Sequence, residues 1–297
     1  MRAAAALAFV AVHLLPGAAG LAAQADSPAA AAAPAAIAAG DAAWARRAEG
    51  RQGPRAAAGP IDQAVAAYER AVREKPSLEA YWKLLRALHF KGDYVVRTRE
   101  EKQAVFGRGG EVVEKALDLL GQRVGGRKKL DAMTPQQTAK ALAGVPEAAP
   151  IFLYGAVHWG LWGDAFGRMA AARQGVGDRI RRYSEVVVAI DERYETAGGH
   201  RVLGRLHTLA PKIPLVTGWV DRAKAVSELR RALQLAPGDP YNQLFLAEAL
   251  LEHQPDKAAE AKGILRQLVA RQPSADRPVE EAKAIADARA LLAKYPG

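Results

Sequence analysis

The chain has 297 residues, of which 50% are hydrophobic and 25% charged, and its formal net charge is +10. This composition supplies enough apolar material for a buried core, and the absence of cysteine excludes disulfides, thiolate metal sites, cysteine nucleophiles and cysteine-linked lipid anchors. Because aromatic residues make up only 6% of the chain and alanine is abundant, the sequence predicts an all-α protein.

The first 25 residues have the pattern of a secretory signal peptide. A short positive start at Met1-Arg2 precedes an apolar run that ends at Pro16-Gly17, and Ala23-Gln24-Ala25 has the small-x-small form that signal peptidase accepts. The run is shorter than the ~20 apolar residues that a membrane span needs. We therefore expect an exported protein, periplasmic or secreted, with no membrane span in the mature chain.

The positive net charge does not by itself predict a nucleic-acid partner. Basic residues are interleaved with acids, as in Glu69-Arg70 and Asp191-Glu192-Arg193, and no readable RNA- or DNA-binding module is present. We expect no nucleic acid, and interpret the charge as a solvated surface that suits an anionic ligand or partner.

Residues 26–39 (DSPAAAAAPAAIAA) form a low-complexity Ala/Pro segment, which predicts a disordered tether. Residues 40–297 are predicted to form a single helical-repeat domain. Their apolar residues recur at helical spacing, and Pro or Gly clusters separate the runs. The predicted helices in chain order are 40–50, 60–76, 78–90, 98–120, 134–143, 150–162, 178–194, a pair within 198–237, 241–252, 258–270 and 278–295.

Four positions recur along the chain with the same spacing. Ala225, Leu229, Ala232 and Pro237 are matched by equivalent residues at 64, 68, 71 and 76 and at 261, 265, 268 and 273. Positions 225 and 261 are 36 residues apart, close to the ~34-residue period of a tetratricopeptide repeat. The pattern resembles that family, and the resemblance implies a tetratricopeptide-like helical-hairpin solenoid with helix 278–295 as a C-terminal cap.

Two glycines occupy equivalent places in neighbouring repeats. Tyr154-Gly155 stand in the third helix pair where Leu203-Gly204 stand in the fourth. Because glycine has no side chain, these positions predict the close approach of a neighbouring helix.

Further segments define a narrower resemblance: LEAYWKLLRALHFKGD (78–93), FGRGGEVVEKAL (106–117), FLYGAVHWGLWGD (152–164), GGHRVLGRLHTLAPKIP (198–214) and NQLFLAEALLE (242–252). Together they resemble the T-component proteins associated with tripartite periplasmic (TRAP-type) transporters, over residues 60–273. The resemblance implies an exported helical-repeat protein that pairs with a substrate-binding subunit and holds an apolar ligand in a central cleft. Members are often lipoproteins, whereas this chain has no Cys after its signal-like segment.

No catalytic or metal-binding pattern is visible in the sequence. Neither H-E-x-x-H nor G-x-S-x-G occurs, and the glycine cluster at 107–110 lacks the Lys and Ser/Thr of a phosphate loop. His200 and His207 are seven residues apart, about 10 Å along a helix, which is too far to hold one metal directly. We expect no enzyme, no cofactor and no metal site, and interpret the histidines as packing residues.

The first helix of each pair in such a solenoid lines the concave groove, which is the usual binding face. On that groove we expect an apolar middle and two arginines one turn apart, Arg201 and Arg205, whose N–H donors suit a carboxylate. The alternative, that both arginines are solvated or paired with Glu248, stays open. The candidate site residues are Lys83, Phe90, Phe152, Trp159, Arg201, Arg205 and Glu248.

Two functional hypotheses of different classes follow. The first is a periplasmic binding protein, an accessory subunit of a TRAP-type solute transport system, that holds a small organic anion or an apolar ligand and has a substrate-binding subunit as partner. The second is an adaptor for cell-envelope assembly that binds extended peptides without a small ligand. A closed internal cavity would favour the first, and an open groove the second.

Overall fold

The computed structural model describes residues 28–214 and 217–296, and the regular structure in these residues is helical, without strands. The all-α prediction is therefore confirmed. Among the described residues, no helix combines the length and the apolar character that crossing a bilayer requires. The signal-peptide prediction for residues 1–25 lies outside the described residues.

Fourteen α-helices occur in the described part of the chain, together with a π-helical turn at Lys91–Val95 and a 3-10 turn at Pro255–Lys257. The helices are α1 (Pro28–Ala45), α2 (Ala58–Glu74), α3 (Leu78–Phe90), α4 (Arg99–Gln122), α5 (Arg127–Ala132), α6 (Pro135–Ala141), α7 (Ala148–Phe166), α8 (Arg168–Arg173), α9 (Val176–Ile190), α10 (Tyr194–Leu209), α11 (Arg222–Leu235), α12 (Pro240–His253), α13 (Ala258–Val269) and α14 (Pro278–Lys294).

The Ala/Pro-rich segment 26–39 is not a tether over the part that the structure describes, since it is helical from Pro28 onwards. Alanine is the strongest helix former, and a proline at the first helical position loses no hydrogen bond. Ala36 is fully buried and shares an apolar cluster with Ala71 of α2 and Ala80 of α3. The segment therefore packs on the domain, because its small side chains allow a close helix contact.

The recurring alanines of the repeat pattern lie in the packed interior. Ala64, Ala225 and Ala261 are all fully buried, one in each of α2, α11 and α13. Each of these helices packs against the helix that precedes it, so the pairs are α1 with α2, α10 with α11 and α12 with α13. Packing in neighbouring pairs agrees with the spacing seen in the sequence.

Both glycines singled out by the repeat pattern lie where two helices approach closely. A Cβ on Gly204 would overlap the side chain of Leu229 in α11. A Cβ on Gly155 would lie 3.3 Å from the ring of Tyr183 in α9, tighter than an ordinary contact. Close packing at both positions depends on the missing side chain.

The helices α3, α7, α10, α12 and α14 contact one another in that order, and the last of them also contacts the turn that follows α1. Arg47, just after α1, donates to Glu280 of α14 at 3.0 Å. Val279 of α14 is fully buried in the same apolar cluster as the N-terminal helices. In the same region, the hydroxyl of Tyr94 in the π-helical turn lies 3.0 Å from that of Tyr241 in α12. The two ends of the helix series therefore meet.

The first turn of α10 has an unusual backbone. Glu195, Thr196 and Ala197 are left-handed, with φ of 47°, 56° and 64°. Arg201 donates to the carbonyl oxygens of Glu195 and Thr196, both at 3.2 Å, and the Asn242 amide donates to that of Thr196 at 3.0 Å. Because this conformation costs ~1–2 kcal/mol per residue outside glycine, these contacts stabilise a strained turn.

Candidate binding site on the central face

Polar and aromatic side chains from α3, α7, α10, α12 and α14 act on one another although the chain separates them widely. The rings of His89 and Tyr154 are 6.0 Å apart, and the charge of Arg201 on α10 acts on the imidazole of His89 on α3. We call this surface the central face. It comprises Arg86, His89, Asp93, Tyr154, Asp164, Tyr194, Arg201, Arg205, Tyr241, Phe245, Glu248, Lys283 and Asp287.

Two carboxylates of the central face are partly desolvated by the surrounding protein. Asp164 keeps its contact with solvent, yet the surrounding protein withdraws enough water to raise its pKa, against the opposing charges of Arg205 and Lys102. The side chain of Asp93 is 24% exposed, and its pKa is also raised by burial, with Lys283 and Lys102 opposing. Both carboxylates therefore hold a proton more readily than a fully solvated carboxylate does.

His89 is neutral at pH 7. Burial lowers its pKa to about 4, and the positive charges of Arg201 and Arg277 add to that shift. Its Nε2 lies 4.0 Å from Oδ2 of Asp93, so this contact is not an ion pair at neutral pH. Within the described residues, the Asp93 carboxylate has no Lys or Arg nitrogen within 4.0 Å.

Arg205 lies on the central face but already has an intramolecular partner. Its guanidinium forms an ion pair with Glu248 and lies 4.4 Å from the ring centroid of Phe245. Burial lowers the pKa of Arg205, with Asp164 and Glu252 opposing, yet a guanidinium stays charged at physiological pH. The structure thus contains the Arg205–Glu248 pair that the sequence left open as an alternative.

Arg201 is also occupied within the protein. Its side chain is 14% exposed and lies 3.5 Å from Asp239, in addition to its bonds to the left-handed turn. Asp239 also accepts from Arg277 at 3.0 Å and Thr196 at 2.7 Å. Burial would raise the pKa of Asp239, but the charges of Arg201 and Arg277 outweigh it and hold the pKa below its usual value. The two arginines therefore do not form the free carboxylate clamp that we expected.

The other four predicted site residues lie off the central face, and their assignment is corrected. Phe90 and Phe152 are each 1% exposed and belong to the apolar core. Trp159 is 7% exposed and lies in the same core. Lys83 is bound to Asp41 of α1 at 2.6 Å, which places it at the α1–α3 contact.

The correction is one of helical register. Successive residues lie about 100° apart around a helix, so choosing position 90 where 89 lies on the central face turns the expected surface by that angle. Helix α3 carries polar residues on both stripes, Glu79 and Lys83 as well as Arg86 and His89, so its sequence alone did not mark the correct stripe.

Two shallow depressions lie away from the central face. One of about 550 Å³ lies between α11 and α12, with Arg230, Leu233 and Leu246 among its lining residues. The other, of about 500 Å³, lies between α6 and α9, where Gln136 and Ile190 line it. Neither includes any residue of the central face.

The histidines at 200 and 207 make structural contacts. His200 donates through its Nδ1–H to the Glu228 carboxylate at 2.6 Å, and its Nε2 lies 3.5 Å from Glu192. Nδ1 of His207 accepts from the backbone N–H of Asp221 at 3.1 Å, which ties α10 to the start of α11. In the described part of the chain, no three His or acidic side chains converge as metal ligands would.

No protein-family model matches the chain, and no curated protein matches it either.

Proposed function

We propose that the protein is an exported, tetratricopeptide-like helical-repeat protein whose central face binds a small organic or apolar ligand without catalysing a reaction. The observation that carries the proposal is the convergence of polar and aromatic side chains from helices spread over the described chain, among which Asp93 and Asp164 are partly desolvated. Such a mixture of apolar walls and a few placed polar groups is typical of small-molecule sites.

The packing order of the helices supports the solenoid part of the proposal. Helices α3, α7, α10, α12 and α14 contact in succession, and α4, α9, α11 and α13 each pack against the next member of that series. In a tetratricopeptide solenoid, the first helices of the pairs make the inner surface and the second helices the outer one.

Within this proposal, the protein serves a periplasmic TRAP-type transport system as an accessory subunit, with a substrate-binding subunit as its partner. The resemblance of residues 60–273 to T-component proteins supports this role. Size-exclusion chromatography of the protein mixed with a TRAP-type substrate-binding subunit from the same source tests it. Co-elution at micromolar concentration is expected, and separate elution of the two proteins would contradict the partnership.

Native mass spectrometry of the full chain, purified without added ligand, tests the binding function. The wild type is expected to carry a non-covalent adduct that denaturing conditions remove. Phe245→Ala removes an aromatic wall of the central face and is expected to lose the adduct, whereas Met169→Ala, at a side chain that is 72% exposed on α8, is the control and should keep it. A wild type without adduct that also shows no melting-temperature increase with organic acids, amines or apolar compounds would contradict the proposal.

The adaptor function remains the second candidate, because one apolar segment is exposed. Leu209 at the end of α10 and Ile213 beyond it are 46% and 41% exposed. Exposed apolar side chains that are near each other in the sequence suit a protein partner. Replacing both with Ser, with the central face intact, separates the two functions: an adaptor loses its protein partner, and a ligand-binding protein keeps its adduct.

A further inference from the structure

Arg86 of α3 lies between two tryptophans. Its guanidinium carbon is 4.1 Å from the ring centroid of Trp44 on α1 and 4.8 Å from that of Trp82, one turn earlier on α3. Cations attract the faces of indole rings, and the attraction is stronger when water is excluded. Contacts of this kind use the flat faces of a guanidinium and leave its in-plane N–H groups for hydrogen bonds. One of these groups in Arg86 is directed to the Tyr68 hydroxyl, a neutral partner.

Arg86 has no carboxylate partner within 4.0 Å in the part of the chain that the structure describes. The acids around it are engaged elsewhere. Asp41 accepts from the Tyr68 hydroxyl at 2.7 Å and from Lys83 at 2.6 Å. Arg47, the other cation stacked on Trp44, is paired with Glu280. Arg86 therefore differs from its charged neighbours in lacking a counter-ion.

The partial burial of Arg86 makes the missing counter-ion significant. The side chain is half-buried, and its Nε is buried without an acceptor. A charge withdrawn from water without a paired charge is costly, and the two indoles replace only part of the lost hydration. An arginine kept in such a place is suited to an anion that arrives from outside.

Aromatic side chains of other helices share the space around Arg86. Burial raises the pKa of Tyr154 on α7 and of Tyr194 on α10, and the positive charge of Arg86 opposes both shifts. The charge of Arg86 is therefore near both hydroxyls. Among the aromatic residues around Arg86, Trp82 contacts it directly, and Tyr154 and Tyr194 lie within the range of its charge.

We infer that Arg86 binds the carboxylate of the ligand, and that an apolar or aromatic body attached to that carboxylate lies against Trp82 and Tyr154. A guanidinium binds a carboxylate through two parallel N–H···O bonds, a geometry that neither a hydroxyl nor an amide reproduces. The inference rests on the proposed function and deepens it, because it names the ligand class, a monocarboxylic acid with an apolar or aromatic body. It also moves the anion-binding role from Arg201 and Arg205, whose donors are occupied, to Arg86.

Isothermal titration calorimetry with two probes of matched shape tests the inference. The probes are 3-phenylpropionate and its neutral amide, 3-phenylpropanamide, and the proteins are full-length wild type, Arg86→Gln, Arg86→Lys and the control Arg289→Gln, at an exposed position of α14. The wild type and R289Q are expected to bind the acid at least about tenfold more tightly than the amide. In R86Q the ratio should fall to about one through loss of acid affinity, and R86K, which keeps the charge without the planar fork, should lie between.

Three results would overturn the carboxylate assignment: equal binding of acid and amide by the wild type, failure of the wild type to bind the acid, or retention of the acid preference in R86Q. Circular dichroism reports whether R86Q folds, and if it does not, R86K and the two wild-type titrations decide the question. If the wild type carries an adduct that F245A loses but shows no preference for the acid, the role of Arg86 is wrong and the proposed function stands. If the wild type carries no adduct and binds neither probe, the role of Arg86 and the proposed function are both wrong.

Discussion

Arg47 and Glu280 form an ion pair with a nitrogen–oxygen distance of 3.0 Å although 233 positions separate them in sequence. Both side chains are largely buried. The pair joins the turn after α1 to α14, so the first and last parts of the described chain lie against each other. A contact of such sequence separation forms only when the chain between the two residues has folded.

Removal of the Glu280 charge is expected to destabilise the fold. Glu280→Gln leaves the largely buried Arg47 without its counter-ion, and we expect a loss of about 1–3 kcal/mol in the free energy of unfolding, measured by urea denaturation. The matched control is Glu260→Gln, which breaks the Arg230–Glu260 pair on the exposed surface and should cost less than about 1 kcal/mol. Equal losses in the two variants would show that the Arg47–Glu280 pair stabilises the fold no more than an exposed ion pair does.

A methyl group at Gly204 is expected to disrupt the α10–α11 contact. Because the new Cβ overlaps Leu229, Gly204→Ala should lower the free energy of unfolding by about 1–3 kcal/mol. Gly263→Ala in α13 is the control, since a Cβ there meets nothing within 4 Å and alanine is the better helix former by ~1 kcal/mol. Urea denaturation should therefore move the two midpoints in opposite directions, and a neutral G204A would contradict the close approach.

The burial of His158 predicts acid sensitivity. Burial lowers its pKa to about 4 from the ordinary 6.5, although a bond to the Leu85 carbonyl oxygen opposes the shift. Because the folded-state pKa is the lower one, this contribution to stability is complete above about pH 6.5 and is lost as the pH falls from there towards 4. At pH 5 the loss from this one group amounts to about 2 kcal/mol.

His158→Gln removes that contribution while it keeps a donor for Leu85. The free energy of unfolding of this variant, measured by urea denaturation at several pH values, should decline less steeply between pH 6.5 and 5 than that of the wild type. The raised pKa values of Asp93 and Asp164 act in the opposite sense and are common to both proteins. Parallel declines in the two proteins would show that His158 is not the titrating group.

Because the start of α10 has a left-handed backbone, a glycine substitution there is expected to stabilise the protein. Glu195 has φ of 47° and an exposed side chain, so Glu195→Gly relieves strain without opening a cavity and should add about 0.5–1 kcal/mol to stability. Glu185→Gly, within the regular helix α9, should instead lose about 1 kcal/mol. Thermal unfolding should shift the two melting temperatures in opposite directions, and destabilisation by E195G would argue against a strained turn.

Much of the helical pattern was predictable because it is local. The spacing of apolar residues and the flanking Pro76 gave α3 its observed bounds, Leu78–Phe90, and α14 begins at Pro278 as expected. The recurring alanines at 64, 225 and 261 are all buried. Each of these features depends on neighbours within one or two helical turns, which a single sequence displays.

The features that were missed depend on distant partners. Segment 26–39 looked like a tether because its alanines show no apolar stripe, and only Ala71 and Ala80 make Ala36 a packing residue. The central face was placed at Lys83 because no local signal separates an inner from a flanking stripe on an apolar helix. The left-handed turn at 195–197 contains no glycine, so the sequence gives no sign of it. Its conformation is stabilised by hydrogen bonds from Arg201 and Asn242.

The contact between α14 and the turn after α1 affects how the protein unfolds. In an open stack of repeats, an end unit frays while the middle persists, because each unit touches only its neighbours. Here the final helix is also held to the turn after the first by the Arg47–Glu280 pair, so fraying at either end of the described chain exposes the other. The described helices are therefore expected to melt together as one cooperative unit, and the ligand site that we propose would form only in a chain that has folded to its last helix.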